Sequence, residues 1–482
     1  MNAKYYRTLT LGLALSLSTS FAICNAAAAD DTTNYWPAAV QTTDKAQPMT
    51  PPSGTAPTGA PPEGSTPPGP PPDGKGGPGM SQEAQSADAL NASYIVDATA
   101  ESSGAAAVTS ETADENTILV RNGGNLTLTN AALRKTGDSS SSEDSNFTGL
   151  NAVFLANNST AKISNTTLDS ASEGSNAIFS TGKNSKITVD QVKIHTTKGS
   201  SRGLDSTYGG TITASDVEIT TEGAHCAALA TDRGEGTVTV TRGSFSTAGD
   251  GSPCIYSTGT IKATDSKGTA SGSEIAVVEG KNSIELENTQ LVGKVKHGVM
   301  LYQSFSGDAG TGTASFTAKN SKLTNLSSGP MFYITNTKAI ADLENTVLES
   351  NGSTLINVTS DRWGETGRNG GDFTFRARNQ QLKGDVLANN LSSISLQLED
   401  GASWTGSLNK DNAAQKAAIS LTQKAAWTLT ADSYVASLED QQTDFSNINS
   451  NGHNIYYETD QAKSLGGKTY TLNGGGKLTP AK

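Results

Sequence analysis

The chain is poor in the residues that carry most recognisable chemistry. It has three cysteines and four histidines in 482 residues, and only 17% of its residues are charged. A net charge of −12 with no cluster of Lys and Arg argues against a nucleic-acid partner, because phosphate binding needs basic residues gathered on one surface. After residue 29 there is no long apolar run, so no membrane span is expected in the mature chain. No GxSxG, HExxH, phosphate-binding glycine loop, EF-hand or GGxGxD string occurs, so no cofactor, metal or catalytic residue is expected. His195, His225, His297 and His453 fall in separate segments without a partner motif and read as polar turn residues.

The first residues have the layout of a secretory signal peptide. Lys4 and Arg7 precede a short apolar stretch from Leu9 to Ala22, and Ala27-x-Ala29 offers a cleavage site before Asp30. Residues 1–29 are therefore expected to be removed on export, placing the protein outside the cell, at its surface or in the periplasm. Residues 30–88 carry a Pro/Gly-rich tract. Proline removes backbone donors and glycine adds chain entropy, so a disordered linker is expected there, either a spacer or a solvated leader.

From residue 89 the few apolar residues become periodic. The segments LTLTNAAL (126–133), AKISNTTL (161–168), ITVDQVKI (187–194), ITASDVEI (212–219) and VTVTRGSF (238–245) recur about every 25 residues. IKATDSKG (261–268), IELENTQL (284–291), FTAKNSKL (316–323), ADLENTVL (341–348) and FRARNQQL (375–382) continue them. Two-residue alternation inside such a period marks a stacked β-solenoid. A second strand lies between the copies. Its third position reads Val153, Ile178, Leu204, Leu229, Ile255, Val277, Met300, Phe332 and Ile356, the expected inward ladder. Each rung contributes roughly 1.5–3 kcal/mol if fully buried. The fold class is thus all-β, a right-handed parallel β-helix of about ten or more coils over 89–410, with a β-rich C-terminal cap over 411–482.

This layout resembles the right-handed parallel β-helix proteins of the pectin-lyase-like superfamily. The strings GAHCAALATDRGEGTVTV (223–240), GPMFYITNT (329–337) and SDRWGETGRNGG (360–371) resemble secreted, adhesin-like bacterial members of that fold. The resemblance implies architecture and no activity. The RxPxxR setting of pectate-lyase-like enzymes and the NTD, DD, GHG and RIK set of polygalacturonase-like enzymes are both absent.

The turns after the second strand are richer in chemistry. Stacking in phase would gather Asp205, Tyr208, Asp232, Arg233, Glu235, Glu279 and Lys281 along one edge, with Asp361, Arg362 and Trp363 further along. Carboxylates, guanidinium groups and aromatic rings on one rim suit a glycan, held by hydrogen bonds and ring stacking. One position beyond the ladder, alternation directs Phe154, Phe179, Asp205, Ala230, Tyr256, Val278, Leu301, Tyr333 and Asn357 outward. That stripe is either a contact surface, with Tyr256 and Tyr333 as candidate ligand contacts, or a face covered by the insert before Leu155 or by the N-terminal tract. Cys226 and Cys254 lie on adjacent coils, and an oxidising compartment favours pairing them. Their strand positions are offset by two, about 8 Å between Cα atoms, so a bridge requires a slip in the turn. The expected function is a non-catalytic, adhesin-like protein that binds glycans or a cell surface. The alternatives are a carbohydrate-active enzyme on acidic polysaccharide and a passive stalk. The oligomeric state is left open.

Overall fold

The computed structural model describes residues 86–304 and 306–481, so the expected signal peptide and nearly all of the expected linker lie outside the described residues. The described chain is a parallel β-solenoid of about 16 turns. Twelve short strands stack in one sheet, from Asn91–Asp97 through Leu204–Thr207 and Phe332–Thr335 to Asp385–Ala388. The intervening strands stack into a second surface, in which Lys186–Thr196 pairs with Thr160–Ser170 on one side and Thr211–Thr221 on the other. Within these strands Ile187, Val189, Val192 and Ile194 are buried while Lys186, Thr188 and Lys193 are exposed, which explains how a polar chain fills a core.

These long strands are bent in the middle. Asn165, Gln191 and Asp216 take left-handed backbone angles, with φ of 47°, 54° and 54°. The same corner is held by Asn130, Arg242, Asp265, Asn288, Asn320, Asn345 and Asn379 in the other coils. Asn and Asp tolerate this conformation better than other residues with a Cβ, which is why they recur as the fifth residue of the repeated segments. Their side chains also bond from coil to coil: the Asn345 amide donates to Asn320 at 2.8 Å and that of Asn288 to Asp265 at 3.1 Å.

In the twelve-stranded sheet the inward column is Phe154, Ile178, Leu204, Leu229, Ile255, Ala276, Val299, Phe332 and Ile356. Six positions are as expected. At Val153, Val277 and Met300 the expected register is off by one residue, because turn lengths vary and a slip of one exchanges the two faces. Phe154, Val278 and Leu301 accordingly join the interior core, and Val277 and Met300 stand on the outer side. Aromatic rings thicken the core further along. Phe332 meets Phe316 and Phe375 edge-on at 6.0 and 5.2 Å. At the C-terminal end Tyr470–Thr471 folds antiparallel onto Lys477–Pro480.

Candidate functional site

The outer face of the twelve-stranded sheet is not the exposed apolar stripe that alternation alone suggests. Phe179, Asp205, Ala230, Tyr256 and Tyr333 do point outward, yet all five are buried, and only Asn357 at the end of the stripe is half-exposed. The covered alternative is the one observed. Ala87 and Leu90 pack with Leu119, Leu155 and Phe179 at the N-terminal end. Next comes a helix, Ser142–Thr148 (α1), started by the Ser141 hydroxyl accepting from the Asp144 amide and ended by Gly149 at φ 80°. A Cβ on Gly149 would lie 2.6 Å from Leu155 and 2.8 Å from Phe179, so the chain leaves α1 pressed against the sheet. Segments at 306–312 and 359–370 cover the later coils.

Each cover is fastened by polar side chains rising from the sheet. Arg202 donates to the Asn146 side chain, and the Thr207 hydroxyl donates to the Phe147 carbonyl at 3.1 Å. The Arg233 guanidinium lies 3.8 Å from the centroid of the Phe147 ring and pairs with Asp308 at 2.7 Å and Glu143 at 3.6 Å. Beyond it, Tyr256 and Tyr302 both donate to Oε2 of Glu279, at 2.6 and 2.7 Å, and Ser304 donates to its other oxygen. Tyr333 donates to Asp361 at 2.8 Å and stacks on His297 with ring centroids 4.0 Å apart. Trp363 tilts against Tyr302 at 5.3 Å, and the Arg362 guanidinium lies 4.6 Å over the Trp363 ring. The Asn369 amide holds the Trp363 carbonyl at 2.8 Å, which fixes the loop that carries both.

The expected site residues therefore divide into two sets. Asp205, Asp232, Tyr256, Glu279 and Tyr208 are buried beneath the covers. Arg233 and Trp363 are half-buried, while Lys281, Asp361 and Arg362 are exposed at the rim, with Lys281 paired to Glu235 at 2.8 Å. Burial sets the acid–base character of the first set. It pushes the Asp205 carboxyl up to about 6 against the pull of Arg202, and raises Asp232 well above the ordinary carboxylate range. Burial also raises Glu279 against three hydrogen bonds that favour its charged form.

Arg202 is the residue that reading by repeats missed. It stands first in RGLDST, and its fully buried guanidinium reaches Asp232 at 3.0 Å and Asp205 at 3.8 Å. A buried charge needs partners, so an arginine among the apolar and small residues opening the aligned strands was the available signal. His195 was also underread. It sits in a strand rather than a turn, on the opposite sheet, with Nε2 2.8 Å from Glu222 and Nδ1 3.9 Å from Asp169.

Cys226 and Cys254 are both free thiols in the structure. The pairing of Leu229 with Ile255 keeps them two positions out of register. Cys254 lies in the apolar core, while Cys226 accepts from the Ser201 amide at 3.1 Å. Burial pushes both thiols up to about 12. Among the described residues no group of three or more His, Cys, Asp or Glu is placed to hold a metal ion, and no helix is long and apolar enough to cross a membrane.

Fold and site together define a parallel β-solenoid with one sheet covered by insertions. No family model, no curated protein and no solved structure matches this chain.

Proposed function

We propose that this protein is an exported, adhesin-like β-helix that binds a glycan or a cell surface through the rim formed by its covers. One observation carries the reading. A regular solenoid needs no insertions to fold, yet α1 and the segments at 306–312 and 359–370 all converge on the same sheet face. Insertions concentrated on one face of a repeat protein often mark its binding face. Here they bring forward Trp363, Arg362, Asp361, Lys281 and Arg233, the ring, cation and carboxylate set that stacks on and hydrogen-bonds to sugars. The start of the chain, from Lys4 to Ala29, supports export, and parallel strand crossovers favour the right-handed winding of the pectin-lyase-like fold.

A second reading has a specific observation behind it. Asp205 and Asp232 carry the raised proton affinity that acid–base catalysis uses, which suits a carbohydrate-active enzyme on acidic polysaccharide. A glycan array probed with the chain from Asp30 onward separates the readings. Retention that falls about tenfold or more in Trp363→Ala and Arg362→Ala supports binding at the rim. Ultraviolet absorbance growing on uronate polymers supports a lyase. No retention on any glycan or cell surface leaves a passive stalk.

A further inference from the structure

Asp205 and Asp232 hydrogen-bond to each other, and the same guanidinium faces both, with Oδ2 of Asp232 3.0 Å and Oδ2 of Asp205 3.8 Å from Arg202. Three ionisable side chains, each at least nine-tenths buried, thus stand together. Two carboxyl groups in direct contact away from water need a physical account. Two carboxylates facing one guanidinium leave a net negative charge in a low-dielectric site. A proton shared between the acids removes it, neutralises the group against Arg202, and supplies the hydrogen of the contact between the two carboxyl groups.

The cluster is also mechanically connected. Arg202 donates to Asn146 of α1, and Asn176, at the equivalent position one coil earlier, donates to the Ser145 carbonyl at 2.8 Å. The same guanidinium that answers to Asp205 and Asp232 therefore holds down the cover. We infer that Arg202, Asp205 and Asp232 form a proton-operated latch for α1, which holds the cover closed while the acid pair is protonated and loosens it as the pair gives up its protons.

Other ionisable groups face the cluster from every side. Tyr256 and Glu279 lie on the following coils, His225 and Cys226 stand beside Arg202, and Arg233 with Tyr208, Asp308 and Glu143 forms the second tie to α1. The buried tyrosines and the Cys226 thiol have their affinity for protons raised, so they stay neutral across the relevant range. Burial lowers the affinity of His225 for a proton, so it too is neutral near pH 7. Glu279 and Asp308 add negative charge toward Asp232, which makes loss of the shared proton more costly to the closed form.

The sign follows from linkage. Closed, Asp205 titrates near 6; opened to water it returns toward its ordinary 3.8. The closed cover therefore binds the proton more tightly, and closure is favoured below that window and weakened above it. Hydrogen exchange on the chain from Asp30 onward, corrected for intrinsic rates, tests this without a ligand and independently of any glycan binding. Between about pH 5 and about pH 8, exchange in residues 139–150 should rise about tenfold. The coils beyond residue 390 should not change. Asp232→Asn, which mimics the protonated acid, should keep 139–150 protected at the higher pH. Equal protection at both pH values, or a variant that tracks the unmodified protein, overturns the latch. Should the variant not fold, infrared difference spectra of the unmodified protein decide. A buried carboxylic-acid carbonyl band lost as pH rises through about 6 supports the shared proton, and absence of such a band overturns it.

Discussion

Trp427 stacks on Trp404 of the preceding coil with ring centroids 5.1 Å apart and planes inclined by 11°. Both indoles are buried, and their N–H groups donate to the carbonyls of Gly406 and Gly384 at 3.0 and 2.9 Å. The pair combines large apolar area with satisfied polar tips, so its loss would leave both a cavity and unpaired carbonyls. Trp427→Ala should destabilise the C-terminal coils by about 3–5 kcal/mol. Denaturant unfolding followed by tryptophan fluorescence checks this, and a change under about 1 kcal/mol would contradict the stacking account.

The two cysteines give a second expectation. With both thiols pushed up to about 12 and buried, almost none is thiolate near neutral pH. A folded chain beginning at Asp30 should react negligibly with a thiol reagent, and two thiols should titrate once it is unfolded without reductant. Finding none in the unfolded, unreduced chain would mean that the bridge forms after all.

Stability should depend on pH in the direction opposite to that of an ordinary ion pair. The folded Asp205 carboxyl binds its proton more tightly than the unfolded one, near 6 against 3.8. Its contribution is full below about 3.8 and is lost as pH rises through about 6. The melting temperature should therefore fall across that interval, and Asp205→Asn should flatten the slope. A melting temperature that climbs through the same interval, with no difference in the variant, would count against the buried pair.

The bent corners predict a gain. Gln191 occupies a left-handed position that Asn fills in six of the other coils. Gln191→Asn should stabilise the protein by about 0.5–1 kcal/mol, seen as a later denaturation midpoint at unchanged slope. Gln191→Val should act the other way, because a β-branched residue is strained there.

Much of the scaffold was legible because a solenoid writes its period into the chain. Ile187, Val189, Val192 and Ile194 show the alternation directly, and the same spacing places Ile178, Leu204 and Ile255 in the ladder. The slips at Val153, Val277 and Met300 arose where neighbouring residues are all apolar, so hydrophobicity could not choose the face. The asparagine corner was present in the quoted repeats but reads as strand when only apolar positions are followed. The site was less legible. Asp205, Asp232 and Glu279 were read as neighbours along one edge of turns, but what covers them is α1 and two later insertions, which occur once each and leave no periodic trace.

Those contacts also change how the molecule should come apart. In a stack of coils each turn touches only the next, so disruption spreads one neighbour at a time. α1 breaks that rule. From a chain position between residues 142 and 148 it reaches Arg202 and Thr207, and through Arg233 it is joined to Asp308, 75 residues further on. These long-range ties bind the coils from about 140 to 310 into one cooperative block. The coils beyond about residue 390, which lie past the covers, are free to fray singly from the C-terminal end. Pulled or heated, the protein should therefore lose its tail in small increments and its covered middle all at once.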